Sequence, residues 1–298
     1  MDIHTIENES LKVTVSDSGA ELISVIDKSK DYERMWDANP SVWNRHAPIL
    51  FPFVGKVNNG KYTYKGQTYE MKSQHGFARD SVFQCVENTG NKITHLLKSG
   101  EATKSCYPFD FELYVTHSLD EANPRLLHVQ WTVKNTGDDT MLYSIGAHPG
   151  FTVPAAASEK RSDYFIEFPD KAKLSYMLLN QDNSLAITDK TYDLDLENGF
   201  LPIEDSLFDR DALVFDNQNI DVMRIAKPDK TPYVTVSCKD FPYAGVWSKP
   251  DGKFICLEPW YGRTDDDGFN GNLEDKAGIQ TLDGGCQKEY IYTIEFHQ

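Results

Sequence analysis

Leu127-His-Val129-Gln-Trp131-Thr-Val133-Lys134 alternates apolar and polar residues and is closed by Asn135-Thr-Gly137. Successive side chains of a strand point to opposite faces, so this period of two writes a sheet strand with one buried and one wetted face. The alternation recurs in Leu11-Lys-Val13-Thr-Val15, in Phe109-Asp-Phe111-Glu-Leu113-Tyr-Val115-Thr116 and in Tyr290-Ile-Tyr292-Thr-Ile294-Glu-Phe296. Tyr62-Thr-Tyr64 and Gln67-Thr-Tyr69 flank Lys65-Gly66, the spacing of a tight hairpin. No convincing stretch longer than about two turns carries the 3.6-residue helical period. The chain therefore reads as all-β and antiparallel.

At 298 residues the chain has the length of about two average domains. Its Pro and Gly residues are nevertheless spread singly, with no Ser/Gly tract and no internal repeat, so one domain over 1–298 is expected. A hydrophobic fraction of 40% and an aromatic fraction of 12% suit a packed core. The balance of 46 acidic against 30 basic residues leaves −16, a field that repels polyanions, so nucleic acid and anionic membrane are excluded as partners. Met1 to Ser10 lacks a basic region followed by an apolar stretch, and no later run approaches the ~18–20 apolar residues of a membrane span, so a cytoplasmic location is expected. Cys85, Cys106, Cys238, Cys256 and Cys286 are odd in number and include no CxxC pair, and they read mostly as reduced, packed thiols. The longest irregular stretches are Ala155–Asp163, Asn180–Asp211 and Gly262–Gly271. The last holds Asp265-Asp266-Asp267, which lacks the ligand spacing of a calcium loop and reads as a solvated acidic loop.

A β-scaffold carries its chemistry on strand ends and loops that the sheet holds still. Three segments fit. In Gln74-His75-Gly76-Phe77-Ala78-Arg79, His75 and Arg79 offer one titratable and one fixed donor, and Gly76 would let the backbone pass close to a ligand. In Ile145-Gly146-Ala147-His148-Pro149-Gly150-Phe151, Pro149 biases His148 toward extended backbone and the flanking glycines break regular structure. In Phe254-Ile-Cys-Leu-Glu258-Pro259-Trp260, alternation sets Phe254, Cys256, Glu258 and Trp260 on one face, a carboxylate beside an aromatic plane that suits a sugar ring. Each also has an ordinary structural reading: a satisfied histidine, or a carboxylate at a strand end. His4, His46, His95, His117, His128 and His297 lack a comparable setting. No HxH or HExxH spacing fixes two metal ligands on one element, so no metal is expected.

Taken in order, these segments resemble the aldose 1-epimerase (galactose mutarotase-like) family, in its shorter LacX-like branch. The likeness spans nearly the whole chain. Its markers are Ala47-Pro-Ile-Leu-Phe-Pro-Phe-Val-Gly55-Lys56-Val57, Gly60-Lys-Tyr-Thr-Tyr-Lys-Gly66, His75-Gly76-Phe77-Ala78-Arg79, Gly146-Ala-His148-Pro-Gly150-Phe151 and Cys256-Leu-Glu258-Pro-Trp260. The resemblance implies a large antiparallel β-sandwich that binds a sugar on its open face. It also implies an isomerase that interconverts α and β anomers of an aldohexose through the open-chain aldehyde, without a cofactor. It sets Glu258 as the base that takes the C1 hydroxyl proton, His148 as the acid that protonates the ring oxygen, and His75 as a second histidine that helps bind near that oxygen. An Asp for sugar hydroxyls falls within Ser206-Leu-Phe-Asp209-Arg-Asp211-Ala-Leu-Val214, with Asp211 favoured over Asp209. The better-known branch has an arginine where this chain has Lys56, and Arg79 offers a planar donor in its place. Trp247 and Trp260 are candidate platforms for the sugar ring. His148 must be protonated to act as the acid, which a neighbouring Glu258 would favour. A hexose 6-phosphate as substrate, a non-catalytic sugar-binding or sensing domain, and a glycoside hydrolase stay open as alternatives, the last needing a second carboxylate.

Overall fold

In the computed structural model, which describes residues 2–298, three antiparallel sheets carry most of the chain. The largest has nine strands. Within it Leu126–Asn135 is hydrogen-bonded to Gln287–Phe296 on one side and to Phe111–Leu119 on the other, with Trp131 opposite Tyr290 and Val115. Leu127, Val129, Trp131 and Val133 are each at most 1% exposed. His128, Gln130, Thr132 and Lys134 are half-buried on the other face, the alternation that the sequence writes. The strand expected from Phe109 begins at Phe111, because Phe109 turns out of the ladder to pack on Tyr107 and Tyr64.

A six-stranded sheet faces it across a shared hydrophobic core that includes Trp131, Tyr290, Ile145, Ile255 and Leu257. The central element of this second sheet is Phe254–Tyr261, paired with Tyr243–Trp247, Ile145–Ala147 and Gly150–Thr152. Ile255 and Leu257 enter the core, while Phe254 and Cys256 pack with Trp36 on the opposite face. This strand is thus covered on both sides, and its polar residue at Glu258 is buried with it. The large antiparallel β-sandwich expected from the sequence is the fold observed.

Two glycines make room for that packing. A Cβ on Gly146 would lie 2.5 Å from Cδ1 of Trp260, and one on Gly245 would lie 2.3 Å from its Cη2, so the indole occupies a slot only glycine leaves open. In the hairpin at Lys65-Gly66 both residues have positive φ, 48° and 77°, as a two-residue turn with right-handed strand twist requires. Gly76, by contrast, serves the backbone rather than a ligand: its φ is 70°, and a Cβ there would meet the Phe51 carbonyl oxygen at 2.3 Å.

The Asn180–Asp211 stretch is less irregular than expected, for it contains the short strands Tyr192–Asp195 and Phe200–Pro202. Cys238 and Cys256 are buried, Cys85 and Cys106 half-buried and Cys286 exposed, all as free thiols. No helix among the described residues is long and apolar enough to cross a membrane.

The third sheet comprises Ile3–Glu7, Leu11–Ser16, Leu22–Asp27 and Tyr32–Glu33. Leu11, Val13 and Val15 belong to the common core. Asp27, at the end of its strand, is fully buried and accepts hydrogen bonds from Arg125 at 2.8 and 3.1 Å and from Arg34 at 3.3 Å. Arg34 also donates to the carbonyls of Tyr233 and His297, which ties this sheet to the large one. Burial raises the Asp27 carboxyl, but the bonds from Arg125 and Ser29 outweigh it and hold the group well below the usual carboxylate range. Its contribution to stability is present above the unfolded value of ~3.9 and is lost as pH falls through the depressed folded value. Asp27→Asn is expected to cost about 3–5 kcal/mol in urea unfolding at pH 7, because two arginines lose their buried counter-charge. The gap between variant and wild type should narrow as the pH is lowered below ~4. An equal gap at both pH values would show that charge is not what Asp27 supplies.

Candidate active site

His148 lies between Ile145–Ala147 and Gly150–Thr152, two short strands that both pair with Phe254–Tyr261. That shared partner sets His148 beside Glu258, with Nε2 3.3 Å from Oε2. Glu258 is 1% exposed. Its Oε1, like Nδ1 of His148, is buried without a hydrogen-bond partner among the described residues. The imidazole is enclosed by rings: Trp43 at 5.0 Å, Trp247 at 5.4 Å and His75 at 5.6 Å between centroids.

His75 holds a left-handed backbone, φ 67°, rare for a residue with a side chain. Its amide donates to the Gly55 carbonyl at 2.7 Å, and its Nδ1 accepts the Gly55 amide at 3.0 Å. A neutral His75 therefore carries its proton on Nε2 and is a donor there.

Burial dominates the electrostatics. It pushes the Glu258 carboxyl well up, helped by the charge of Asp211, and it lowers His148 to about 3, with Arg79 adding to the effect. His75 is lowered by burial, then by His148, Arg79 and Lys56. The expectation that Glu258 holds His148 protonated is thus not met. Desolvation outweighs one neighbouring carboxyl and favours the pair with its proton on Glu258.

Glu258 and His148 line a cavity of about 480 Å³, in the range of small-molecule sites. Of the residues singled out in the sequence, His75, Arg79, Asp211, Trp247 and Trp260 also line it. So does Asp209, which is exposed, whereas Asp211 is half-buried with φ 73°. Lys56 is not among the lining residues. Its main chain is bonded to the Thr264 hydroxyl, and the residue borders a neighbouring surface hollow. Trp260 is a floor more than a platform, 5% exposed with Nε1 donating to the Ala147 carbonyl. Trp247 is half-buried and more open.

Trp43 and Arg263 also line the cavity and were not singled out, since neither lies on an alternating segment; Gly262 directly before Arg263 was the signal that could have marked it. Arg263 bonds Asp216 at 3.3 Å and the Thr264 carbonyl at 3.1 Å. The neighbouring Asp265-Asp266-Asp267 is a solvated loop only in part: Asp267 is exposed and Asp266 half-buried, but Asp265 is buried. Asp265 is 3% exposed and paired at 2.7 Å with a buried Lys276, Asp266 bonds Arg263, and Asp267 accepts from Asn180 and Asn183. A charge run says nothing of partners contributed from elsewhere in the chain, and here each aspartate has one.

On the far wall, the buried guanidinium of Arg161 donates to the Ser248 hydroxyl and to the carbonyls of Lys249, Pro250 and Gly252, fixing the rim loop. One atom each of His148, Cys256 and Glu258 lies within 4.8 Å of the others, a nitrogen, sulfur and oxygen set of the kind zinc accepts. The same atoms can equally trade protons with a bound hydroxyl. An acid and a base in contact, capped by rings and edged with charged donors, is an arrangement that can move protons to and from a bound hydroxyl.

Comparison with known proteins gives the family. The family model described as aldose 1-epimerase matches residues 2–265. Protein LacX of Lactococcus lactis subsp. lactis is 32% identical over 281 residues, covering 92% of each chain. Among solved structures, a galactose mutarotase related enzyme from Lactobacillus acidophilus superposes with a TM-score of 0.93 at 36% identity, over 100% of this chain and 98% of that one. A galactose mutarotase-like protein from Lactobacillus casei gives 0.89 at 31% identity, over 99% and 100%. With the family model matched over most of its length, the chain belongs to the aldose 1-epimerase family.

Proposed function

We propose that the protein is a mutarotase acting on a free aldohexose, with Glu258 as base and His148 as acid. The observation that carries this reading is the 3.3 Å contact between the two groups at the bottom of the cavity. O1 and O5 of a cyclic sugar share C1, so one group must remove a proton and the other deliver one within a few Å of the same carbon. Ring opening takes the O1 proton to the Glu258 carboxylate, breaks the C1–O5 bond as O1 becomes the aldehyde oxygen, and gives O5 the imidazolium proton of His148. The products are a protonated Glu258, a neutral His148 and an uncharged open-chain sugar. Rotation about C1–C2 and the reverse transfers close the ring on the other face.

The resting pair carries its proton on Glu258, so that proton must first cross the 3.3 Å contact to His148. Burial disfavours the ion pair this makes, and opening discharges it again and returns the pair to its resting distribution. His75, Arg79 and Asp211 would hold hydroxyls, and the Trp247 ring would cover an apolar face of the sugar. For a sensing domain, a buried acid and base in contact would cost stability with no return in binding.

Polarimetry of freshly dissolved α-glucose and α-galactose tests the activity. Glu258→Gln is expected to lower kcat at least about 100-fold with sugar binding changed only a few-fold, and His148→Asn to strike kcat harder than KM. Retention of more than about a tenth of kcat in Glu258→Gln would remove Glu258 from the role of base.

The pH profile follows from the directions above. With His148 lowered to about 3 and Glu258 raised, the first proton entering the pair goes to Glu258 and a second reaches His148 only in strong acid. The acid limb of kcat/KM, which reports the free enzyme, should therefore lie far below ~6.5, toward the lowered His148 value, and the alkaline limb should follow the raised Glu258 carboxyl. An acid limb near ~6.5 would contradict this.

The steps use side-chain protons alone, so exhaustive chelation should leave the rate unchanged. Loss on chelation with recovery on a divalent ion, in protein whose unfolding curve shows it still folded, would assign the His148, Cys256 and Glu258 atoms to a metal instead. We further propose that the sugar is unphosphorylated: Arg263 in the wall is already bonded to Asp216 and Asp266, and Asp209 and Asp211 line the same cavity. Comparison of kcat/KM for glucose, galactose and their 6-phosphates is the check. A tenfold preference for a phosphate at both low and physiological salt would make Arg79 or Lys249, both in the cavity lining, a phosphate contact.

A further inference from the structure

A second group of metal-ligating side chains lies away from the cavity, where the N-terminal sheet meets the edge of the large one. His4 stands on the strand Ile3–Glu7, Asp17 directly after Leu11–Ser16, Cys85 on the edge strand Gln84–Thr89 and His95 on its neighbour Lys92–Lys98. Cys85 and His95 are directly opposite in the antiparallel ladder, so their side chains leave the same face of the sheet. Asp17 Oδ1 lies 2.9 Å from His4 Nε2 and 3.2 Å from His95 Nε2. The two imidazoles are edge to face at 5.4 Å, and one ligand atom from each of His4, Cys85 and His95 lies within 4.8 Å of the others. None of these four residues lines the sugar cavity.

We infer that these residues form a zinc-binding site, with Cys85 Sγ and one nitrogen each of His4 and His95 as ligands and the Asp17 carboxylate, hydrogen-bonded to both imidazoles, as the group that orients them. Two imidazoles and one thiolate are a donor set that zinc takes, with a fourth position left for a small ligand. The surroundings also fix the carboxylate. Its other oxygen faces the Asp2 amide at 3.3 Å, and the Asp17 carbonyl takes the amide of Phe83, next to the Cys85 strand, at 2.8 Å. His4 and Asp17 keep 20% and 15% of their side-chain surfaces exposed, which leaves a way in for an ion, while His95 is fully buried and gives a fixed ligand.

The consequence is structural. The ligands come from two sheets, so an ion here would clamp the N-terminal strand to the edge of the large sheet. Binding only to the folded chain would stabilise it by mass action. Binding would release the proton of the Cys85 thiol, making affinity rise with pH.

The test uses the intact protein, stripped with chelator and dialysed, then titrated with Co²⁺ as a spectroscopic probe and with Zn²⁺ by calorimetry and thermal unfolding. One equivalent of Co²⁺ should give a thiolate-to-cobalt charge-transfer band, and Zn²⁺ should displace it and raise Tm. Cys85→Ser should abolish the band. Cys85→Ser and His4→Gln, both at positions that are not fully buried, should each weaken Zn²⁺ at least about tenfold, since even partners outside the ligand shell cost 10–100-fold. Unfolding curves in chelator show whether each variant is folded. A band that persists in Cys85→Ser but vanishes in Cys256→Ser would move the ion to the cavity and overturn the assignment. So would the absence of a thiolate band in the wild type, which would leave His4, Asp17 and His95 as a hydrogen-bonded latch.

Discussion

A carboxyl group and an imidazole in contact at the bottom of a dry cavity set the terms for the rest of this structure. Neither would remain there on its own account. Desolvation disfavours the charged form of each, and Glu258 Oε1 and His148 Nδ1 forgo protein hydrogen bonds. The arrangement persists because both groups are mounted on backbone that is secured elsewhere. Glu258 belongs to a strand paired on both edges and covered on both faces. His148 belongs to a link between two short strands that use that same strand as their ladder. Moving either residue would mean unpairing the middle of the second sheet.

The supports around the pair follow a common pattern, in which buried charge is spent on fixing loops. Lys276 and Asp265 form a buried ion pair whose members also hold the Arg263 carbonyl and the Asn58 amide, so the loop carrying Arg263 and Thr264 is braced from beneath. Arg161 finds no carboxylate and instead collects main-chain carbonyls of the rim loop. Such groups stabilise little relative to an apolar core of the same volume, but removing one partner leaves the other uncompensated. Their effect is to hold loops in one conformation, which a site for proton transfer between positioned atoms requires.

The fold was legible because it depends on period. The alternation in Leu127–Lys134 and Tyr290–Phe296 reports which face of each strand is buried, and the structure pairs these two strands directly. Local chemistry was legible too, as at Lys65-Gly66, where a turn must place two residues at positive φ. The motifs around His75, His148 and Glu258 were visible as residue types beside glycine and proline. Their meaning came from the order in which they occur rather than from any one of them, and the structure sets all three on one cavity.

What the sequence by itself determined is whatever is encoded within a few residues: strand periodicity, the hairpin, the all-β class and the short segments able to carry chemistry. Tertiary structure alone decided the remainder, because it depends on residues far apart in the chain. Only the fold sets Trp43 against His148 and Arg263 on the cavity wall, turns an acidic run into three partnered aspartates, and gives Gly76 a backbone neighbour in place of a ligand. The same holds for protonation. A histidine beside a carboxylate looks in sequence like an ion pair, yet the depth at which both are buried reverses the balance, and depth is a property of the packed molecule rather than of any segment of it.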